Sequence, residues 1–433
     1  MATQDMSSEV RSGEQRAVRF HPPSFDIRVE TVPIPQLIEP DDAIVKVTLA
    51  GLCGSDLHVY RGHEEVDAVM TSGHEFVGEV TALGESFKSD VSGRPSLYST
   101  LQVGDKVVSP FTVSCGECHF CRMGFSARCV HSALFGTPDL PGGQAQYVRV
   151  PKAGGTLLKI EDITSLFHGQ TQLADTSLIL LADILPTGAF AALQALQHPK
   201  VSALIHNTSY PYNGFVPKHV PFDTVQLTAS DRTITFAVIG LGPVGICALV
   251  SLLDMLEDIS TITYRVVAID PNVSRREKCQ SVLTSMESDV KSAHVVVADI
   301  DESENIVKDW TGGVGCDAVL EVVGNNSALT LAYDIVRPFG VISSVGVHQG
   351  PPLPFTGRDV YNKNVSFEFG RCPVRAILPI AAAILLKRQD VFGGVGGSAS
   401  LIDKILGFDE APEIYKVFNE GGCGKILFDP WRS

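Results

Sequence analysis

The chain has 433 residues, 44% of them hydrophobic and 19% charged, so it is long enough for two domains with sizeable apolar cores. Its formal net charge of −15 disfavours nucleic acid and anionic membranes as partners. The N-terminal stretch MATQDMSSEVRSGEQRAVRF has no apolar core, so we expect no secretory signal, a cytoplasmic location and reduced thiols at the ten cysteines.

The first third of the chain is rich in short strands. Residues 18–150 contain many glycines and prolines and short β-branched runs such as AIVKVTLA and EFVGEVTAL, whereas helical periodicity is scarce. This pattern predicts a strand-rich, barrel-like domain. Two stretches rich in Ser, Thr, Pro and Asn, at about 88–102 and 206–233, have the composition of surface insertions.

Two separate cysteine patterns indicate metal. The run CGECHFCRMGFSARC brings together four thiols: Cys115, Cys118, Cys121 and Cys129. Two-residue gaps let successive thiolates converge on one tetrahedral ion, so the run predicts a structural zinc site without an open position. The alternative is a set of cysteines with a purely structural or disulfide role.

Upstream, AGLCGSDLHVYRGH and SGHEFVGEVTALG contain Cys53 and His74. Each residue alone is typical of a packed side chain. Together, with the acidic neighbours Asp56 and Glu75, they predict part of a second metal site. A catalytic zinc ion usually has three protein ligands and one open position.

A carboxylate stands alone in the apolar run LILLADILPTGAFAAL. No Lys or Arg lies within eight residues of Asp183 on either side. A buried carboxylate is costly unless a cation or hydrogen-bond donors compensate it. Asp183 is therefore either a metal ligand or the N-cap of the Ala-rich helix that follows.

From about residue 183 onward, short apolar runs alternate with helical segments. The strand-like runs are TFAVIG, RVVAIDP, AHVVVADI, CDAVLEVVG and GVISSVGV. This alternation predicts a parallel sheet covered on both faces. The uncharged run from Thr233 to Leu253 is long enough to cross a membrane, but its three glycines and its proline favour a strand, a turn and a helix. After about residue 370 we expect two helical segments and a final strand, KILF.

The turn VIGLGPVG fits the pattern G-x-G-x-x-G. Its members are Gly240, Gly242, Pro243, Val244 and Gly245. A strand precedes the turn, a helix follows it, and an acid, Asp270, ends the next strand 25 residues after the last glycine. This context predicts a dinucleotide site rather than a packing turn.

These motifs together resemble the zinc-containing medium-chain alcohol dehydrogenases. The matching residues run from about Val18 to Pro430 and include CGSDLH, GHEFVGEV, the four-cysteine run, LPTGAFAAL, VIGLGPVG and VISSVGV. The resemblance implies an α/β protein with a strand-rich GroES-like catalytic domain and a Rossmann domain with a doubly wound parallel sheet. We expect the GroES-like part at 1–185, the Rossmann domain at 186–370 and a C-terminal return to the catalytic domain at 371–433. The two predicted metal sites give two zinc ions per chain, and the resemblance implies a homodimer or homotetramer.

The resemblance assigns the catalytic zinc to Cys53, His74 and the position of Asp183. The family's third ligand is usually Cys, but LADILPTG is similar to the branch that includes glutathione-independent formaldehyde dehydrogenases, where Asp takes this role. YNKNVSFEFGRCP resembles that branch as well. Glu75 matches the acid beside the histidine ligand and is assigned a catalytic role.

The expected reaction is hydride transfer between an alcohol and an aldehyde or ketone, with NAD(P) as the carrier. The resemblance implies a proton relay through Ser55, the cofactor ribose and His58; a turn serine and a surface histidine are the alternatives. Arg371 is expected near the cofactor phosphates. The alternative functions are a formaldehyde dehydrogenase or aldehyde dismutase with tightly bound NAD, and a non-enzymatic nucleotide-binding protein.

Cofactor choice depends on the acid at the strand end. Asp270 should accept hydrogen bonds from the adenosine ribose and repel a 2′-phosphate, which favours NAD over NADP. Arg275 and Arg276 follow in DPNVSRREK and could hold that phosphate instead. The sequence does not identify the alcohol.

Overall fold

The computed structural model describes residues 13–88, 100–165, 173–208, 227–228, 230–259, 262–286, 294–348 and 350–432. The N-terminal residues 1–12 and most of the two predicted insertions, at about 88–102 and 206–233, lie outside these ranges. The chain divides into two compact units. The first comprises Met1–Asp183, Pro373–Gly396 and Leu401–Ser433, and the second comprises Ile184–Cys372 and Gly397–Ser400.

The N-terminal part of the first unit is built mainly from strands. They are β1 (Glu14–His21), β2 (Asp26–Pro33), β3 (Ala43–Leu52), β4 (Met70–Thr71), β5 (Phe76–Leu83), β6 (Lys106–Ser109), β7 (Tyr147–Val150) and β8 (Leu158–Lys159). The helices here are short: α1 (Asp56–Tyr60), α2 (His119–Arg122), α3 (Ala153–Thr156), α4 (Ile160–Ser165) and α5 (Asp175–Leu178). A 3₁₀ turn, Ile179–Ala182, follows α5 and leads to Asp183. The predicted strand-rich domain is confirmed.

The second unit alternates strands and helices. In chain order they are α6 (Ile184–Gln197), α7 (Pro199–Ile205), β9 (Thr233–Ile239), α8 (Pro243–Glu257), β10 (Thr263–Ile269), α9 (Val273–Met286), β11 (His294–Ala298), α10 (Ile300–Thr311), β12 (Cys316–Glu321), α11 (Asn326–Ile335), β13 (Val336–Ser344), α12 (Gly357–Lys363) and β14 (Ser366–Phe369).

The strands of the second unit form one sheet in the order β11-β10-β9-β12-β13-β14, and every neighbouring pair is parallel. This confirms the predicted doubly wound parallel sheet. The strand order reverses between β9 and β12, and a sheet of this kind binds ligands outside the carboxyl ends of its strands at such a point.

The uncharged run that could have been a membrane span is β9, the glycine turn and the start of α8. Among the described residues no single helix is long and apolar enough to cross a membrane. One bent pair, Asp175–Ala182 with Ile184–Gln197, reaches that length and hydropathy only when its two parts are taken together.

The chain then returns to the first unit through α13 (Val374–Lys387), α14 (Gln389–Phe392), β15 (Ile402–Leu406), α15 (Ala411–Asn419) and β16 (Lys425–Phe428). The strands of this unit form one sheet in the order β15-β16-β3-β5-β6-β8, with β7 also paired to β3, and a smaller sheet in the order β2-β1-β4. The predicted final strand KILF is β16, whereas β15 was not predicted.

The central pair of strands, β3 and β5, positions the first candidate metal site. Both strands are largely buried, and their apolar side chains, such as Val45, Val47 and Phe76, belong to the core of this unit. Burying a side chain of this size contributes about 1.5–3 kcal/mol to stability. Since the strands are antiparallel, the end of β3 and the start of β5 meet, and Ala50 is paired with Phe76. Residues just after β3 and just before β5 are therefore neighbours.

Candidate functional site

Three predicted ligands meet at this end of the strand pair. Cys53 follows β3 directly and His74 comes two residues before β5. Asp183 Oδ2 lies 3.3 Å from His74 Nε2 and 3.7 Å from Cys53 Sγ, and all three side chains are buried. Ligand atoms bonded at about 2.0–2.3 Å to a tetrahedral zinc ion are separated by roughly 3.3–3.8 Å. The spacing thus suits one shared cation.

Asp56, the first residue of α1, fixes two of these ligands. Its Oδ1 lies 3.2 Å from His74 Nδ1, and its Oδ2 accepts a 2.9 Å hydrogen bond from the Cys53 backbone N–H. With Nδ1 turned to a carboxylate, His74 presents Nε2 to Asp183, which is the arrangement that orients metal-binding histidines. The sequence pattern indicates Asp56 only as an acidic neighbour of the predicted ligands. Its place three residues after Cys53 in CGSD is the signal for this role.

The charges around His74 favour a cation. Burial acts to lower the pKa of His74, but the carboxylates of Asp56 and Asp183 raise it well above its usual value. Burial and the nearby charge of Glu75 raise the pKa of the Cys53 thiol. A divalent ion bound by the same atoms would replace the proton between His74 and Asp183 and favour the Cys53 thiolate.

Glu75 lies beside this cluster and is paired with a lysine from the other end of the chain. Its Oε2 is in close contact with Lys425 Nζ, which also donates a 3.1 Å hydrogen bond to the Leu52 carbonyl. The other oxygen, Oε1, is buried and has no hydrogen-bond partner among the described residues. A Glu75 carboxylate oxygen lies within 4.8 Å of ligand atoms of Cys53 and His74. The donor set of sulfur, imidazole and carboxylate is that of a zinc site.

Ser55 and His58 flank the same ligands. Ser55 Oγ lies 3.2 Å from His74 Nε2 and 3.3 Å from Cys53 Sγ. His58 is half-buried on α1, and within the part of the chain that the structure describes its buried Nδ1 atom has no hydrogen-bond partner. Burial lowers the pKa of His58. The structure therefore brings Ser55 to the cluster itself and places His58 on the adjoining helix.

The four thiols of the second cysteine pattern converge on one point. Their sulfur atoms all lie within 4.8 Å of one another. Backbone N–H groups of Cys118, Cys115 and His131 point at sulfur atoms of the set at 3.2–3.3 Å, which favours thiolates. Burial acts to raise the pKa of Cys118, but hydrogen bonds with the backbones of Cys121 and Val130 lower it to about 6. Four sulfur ligands form a closed structural zinc site.

The three glycines of the turn after β9 have different roles. Gly240 has φ +94°, and a Cβ there would lie 2.6 Å from Val323 Cγ2; a Cβ at Gly245 would collide with the Gly240 carbonyl. Both positions therefore require glycine. A Cβ at Gly242 would meet nothing within 4 Å. Gly242 is the N-cap of α8, and Pro243 and Val244 begin this helix. The open space in front of its N-terminus is where a cofactor phosphate can approach the backbone.

Asp270 follows β10 next to this turn. Its carboxylate is 2% exposed, and it accepts 2.8 Å hydrogen bonds from the backbone N–H groups of Leu241 and Asn272. A carboxylate has about four acceptor positions, and these two N–H groups occupy two of them. Arg275 Nη1 lies 3.6 Å from Asp270 Oδ2, whereas Arg276 donates to the carbonyl oxygens of Asp270 and Pro271.

Arg371, the last predicted cofactor residue, is exposed just after β14. It lies at the carboxyl end of the sheet's edge strand.

Known proteins are similar to this chain in sequence and in fold. Residues 39–162 match the family model of the alcohol dehydrogenase GroES-like domain, and residues 259–373 match that of the zinc-binding dehydrogenases. The chain is 38% identical over 423 residues to zinc-type alcohol dehydrogenase B of Aspergillus flavus, covering 98% of this chain and 82% of that protein. It is 39% identical over 349 residues to the medium chain reductase/dehydrogenase ucsI of an Acremonium species, covering 80% and 98%.

Solved structures also share this fold. The alcohol dehydrogenase TADH from Thermus sp. ATN1 superposes with a TM-score of 0.69 at 29% identity, and the match covers 96% of this chain and 99% of that one. The predicted combination of a GroES-like and a Rossmann fold is confirmed. The chain belongs to the zinc-type alcohol dehydrogenase family of oxidoreductases.

Proposed function

We propose that this protein oxidises a small alcohol to an aldehyde or ketone, or catalyses the reverse reduction, with NAD as the hydride carrier. The observation that carries the proposal is the convergence of Cys53, His74 and Asp183 at distances that suit one zinc ion. Family membership supports the reaction class, while the substrate and the residue roles belong to the proposal.

Zinc would be held by Cys53 Sγ, His74 Nε2 and Asp183 Oδ2, and a second ion by the four-cysteine set. When bound at the first site, zinc supplies Lewis acidity and lowers the pKa of an alcohol. Asp183 contributes a harder ligand than the thiolate usual at this position, which should increase that acidity. Asp56 keeps the imidazole of His74 in the orientation that binding requires.

Ser55 and His58 would move the proton of the alcohol away from the site. Ser55 Oγ is close enough to the ligand atoms to meet a substrate hydroxyl there. His58 has a lowered pKa because it is half-buried, so it is neutral at physiological pH and can accept a proton. Glu75 and Lys425 hold a fixed pair of charges beside the ligands.

NAD would lie at the carboxyl ends of the parallel strands, with its pyrophosphate at the N-terminus of α8; when bound, it accepts the hydride. The carboxylate of Asp270 suits the hydroxyls of the adenosine ribose, and the same charge opposes a 2′-phosphate. Arg371 is proposed as a phosphate contact. A homodimer or homotetramer is proposed as the assembly.

A substrate screen tests the proposal. Zinc-loaded protein is assayed for NADH and NADPH formation with primary, secondary, aromatic and polyol alcohols, alongside Asp183→Ala. We expect oxidation of at least one class by the wild type and none by the variant. Equal activity in both proteins, or none with any alcohol or aldehyde, would contradict it.

A second candidate is aldehyde dismutation by NAD that never leaves the protein. Asp183 at the third ligand position favours it, because the chain resembles the formaldehyde dehydrogenase branch there. Nicotinamide absorbance of freshly purified protein, before any cofactor is added, distinguishes the two: retained cofactor gives the band and a released one does not.

A further inference from the structure

A polar cluster lies at the carboxyl ends of β12 and β13 and has no role in the chemistry above. Glu321 is the last residue of β12, Ser344 is the last residue of β13, and His348 follows four residues later. Ser344 Oγ lies 2.6 Å from Glu321 Oε2, and His348 Nε2 lies 3.0 Å from the same oxygen and 2.9 Å from Ser344 Oγ. Glu321 is fully buried, while the side chain of His348 is 14% exposed. The imidazole therefore lies between a buried carboxylate and solvent.

The loops that carry this cluster pack on the glycine turn of the cofactor site. A Cβ on Gly240 of that turn would contact Val323, two residues after Glu321. The next glycine of that loop, Gly324, lies against Gly346, because a Cβ on either one would collide with backbone around the other. The glycine turn after β9, the loop after β12 and the loop after β13 thus follow one another along the same edge of the sheet. The cluster lies at the second and third of these loops, and the N-terminus of α8 lies at the first.

Hydrogen bonds orient the carboxylate and the imidazole of the cluster. Glu321 Oε1 accepts 2.8 Å hydrogen bonds from the backbone N–H groups of Val323 and Gly324. Burial acts to raise the pKa of Glu321, but hydrogen bonds with His348, Ser344 and Gly324 lower it. Glu321 is therefore a carboxylate at neutral pH, and His348 donates its Nε2–H to it. In neutral imidazole the other nitrogen, Nδ1, is then an acceptor, and among the residues that the structure describes it has no hydrogen-bond partner.

We propose that His348 Nδ1 accepts a hydrogen bond from the nicotinamide nucleoside half of the dinucleotide, with Glu321 and Ser344 as positioning residues. The inference rests on the proposed use of NAD or NADP. In a doubly wound sheet each half of the strand order binds one nucleoside. The adenosine half lies at β10, where Asp270 is located, so the half at β12 and β13 faces the nicotinamide riboside. Ribose hydroxyls and the carboxamide N–H of that half are the donors that an imidazole acceptor would bind.

Binding measurements on the full-length, zinc-loaded protein test this contact. Calorimetric titrations with NAD⁺ and with AMP compare the wild type, His348→Ala and His348→Asn. We expect His348→Ala to bind NAD⁺ about tenfold more weakly, the loss of one hydrogen bond, and AMP unchanged, since AMP lacks the nicotinamide half. Asn places an amide oxygen near the position of Nδ1 and should restore part of the affinity.

His198→Ala is the matched control. The His198 side chain is also 14% exposed and lies 3.8 Å from a glutamate, Glu368, but it caps α7 and is not part of the cluster that follows β12 and β13. We expect the His198→Ala variant to bind NAD⁺ with the affinity of the wild type. Equal NAD⁺ affinity in wild type and His348→Ala, or an equal loss for NAD⁺ and AMP, would overturn the contact. Wild-type protein that binds neither NAD⁺ nor NADP⁺ would overturn the proposed function as well.

Glu321→Gln provides an independent readout. The two backbone N–H groups at Oε1 would hold the amide oxygen of Gln, so its NH₂ group would face His348 Nε2 and donate to it. Nδ1 would then carry the proton and could no longer accept. We expect ¹⁵N shifts of labelled histidine to report the inverted tautomer and NAD⁺ affinity to fall as in His348→Ala, with AMP binding kept. An unchanged tautomer together with wild-type NAD⁺ affinity would contradict the proposed positioning role.

Discussion

The ammonium group of Lys425 and the carboxylate of Glu75 form an ion pair whose side chains are 1% and 0% exposed. The two residues are 350 positions apart, and β16 brings them together because it pairs with β3 beside the candidate metal site. Burial acts to lower the pKa of Lys425, but the charge and hydrogen bond of Glu75, together with the nearby Cys53 and Asp183, raise it. The last strand of the chain therefore supplies the charge that permits an acid next to His74.

Replacing Lys425 should show how much a buried, unpaired Glu75 carboxylate destabilises the fold. In Lys425→Met, Glu75 is left buried without a counter-charge, and we expect the free energy of unfolding to fall by about 3–5 kcal/mol. Adding Glu75→Gln should recover much of the loss. Urea unfolding of both variants, with the exposed Lys404→Met on neighbouring β15 as control, measures this. If Lys425→Met lowers the free energy of unfolding no more than Lys404→Met does, the ion pair does not contribute to stability.

Asp183 should be required for one of two zinc ions. Elemental analysis is expected to give two ions per chain in the wild type and one in Asp183→Ala, with turnover reduced by about 10³-fold or more because the Lewis acid is lost. Asp183→Cys restores the common family ligand and should retain two ions. The exposed Asp139→Ala serves as control. Two ions and near-normal turnover in Asp183→Ala would instead favour the helix-cap interpretation.

The four-cysteine site should stabilise the fold without taking part in the chemistry. Cys118→Ser is expected to lose the structural ion, keep the other and unfold at a temperature several degrees lower, because a closed zinc site contributes directly to folding. Zinc content and thermal unfolding are measured against Cys423→Ser, a half-buried cysteine outside both clusters. Unchanged zinc content in Cys118→Ser would rule out this ligand set.

The pH dependence of alcohol oxidation should report His58. Burial disfavours its charged form, so its pKa lies below the usual 6.5. The neutral, proton-accepting form therefore persists below pH 6.5, and kcat/KM should fall only as the pH decreases through the lowered pKa. His58→Gln should remove this inflection and slow oxidation by about 10²-fold or less. As a control, His63→Gln at an exposed neighbouring position should keep the wild-type pH profile. If the inflection survives in His58→Gln, it belongs to another group.

Cofactor choice should depend on Asp270. The wild type is expected to have a higher kcat/KM with NAD than with NADP, because the buried carboxylate opposes a 2′-phosphate. Asp270→Ser should improve use of NADP by about tenfold, helped by Arg275, whose guanidinium now pairs with Asp270. Steady-state kinetics with both cofactors decide the matter: better use of NADP by the wild type, or no gain in the variant, would reverse the assignment.

Features that depend on neighbouring residues could be predicted from the sequence alone. The spacing of Cys115, Cys118 and Cys121 brings thiols together within one loop, and the glycines of VIGLGPVG define a turn between a strand and a helix. The alternation of apolar runs with helical segments predicted the parallel sheet. Each signal is local, because backbone geometry over a few residues determines where these side chains point.

Long-range pairings were decided by the tertiary structure. A lone carboxylate in an apolar run showed that Asp183 needed compensation, but only the packing of the 3₁₀ turn against β3 and β5 brings it to Cys53, 130 residues away. Three other pairs likewise join residues from separate elements: Asp56 with His74, Lys425 with Glu75, and Glu321 with His348. No periodicity records these contacts, since they depend on which strands become neighbours, and strand order is set by burial of the whole core.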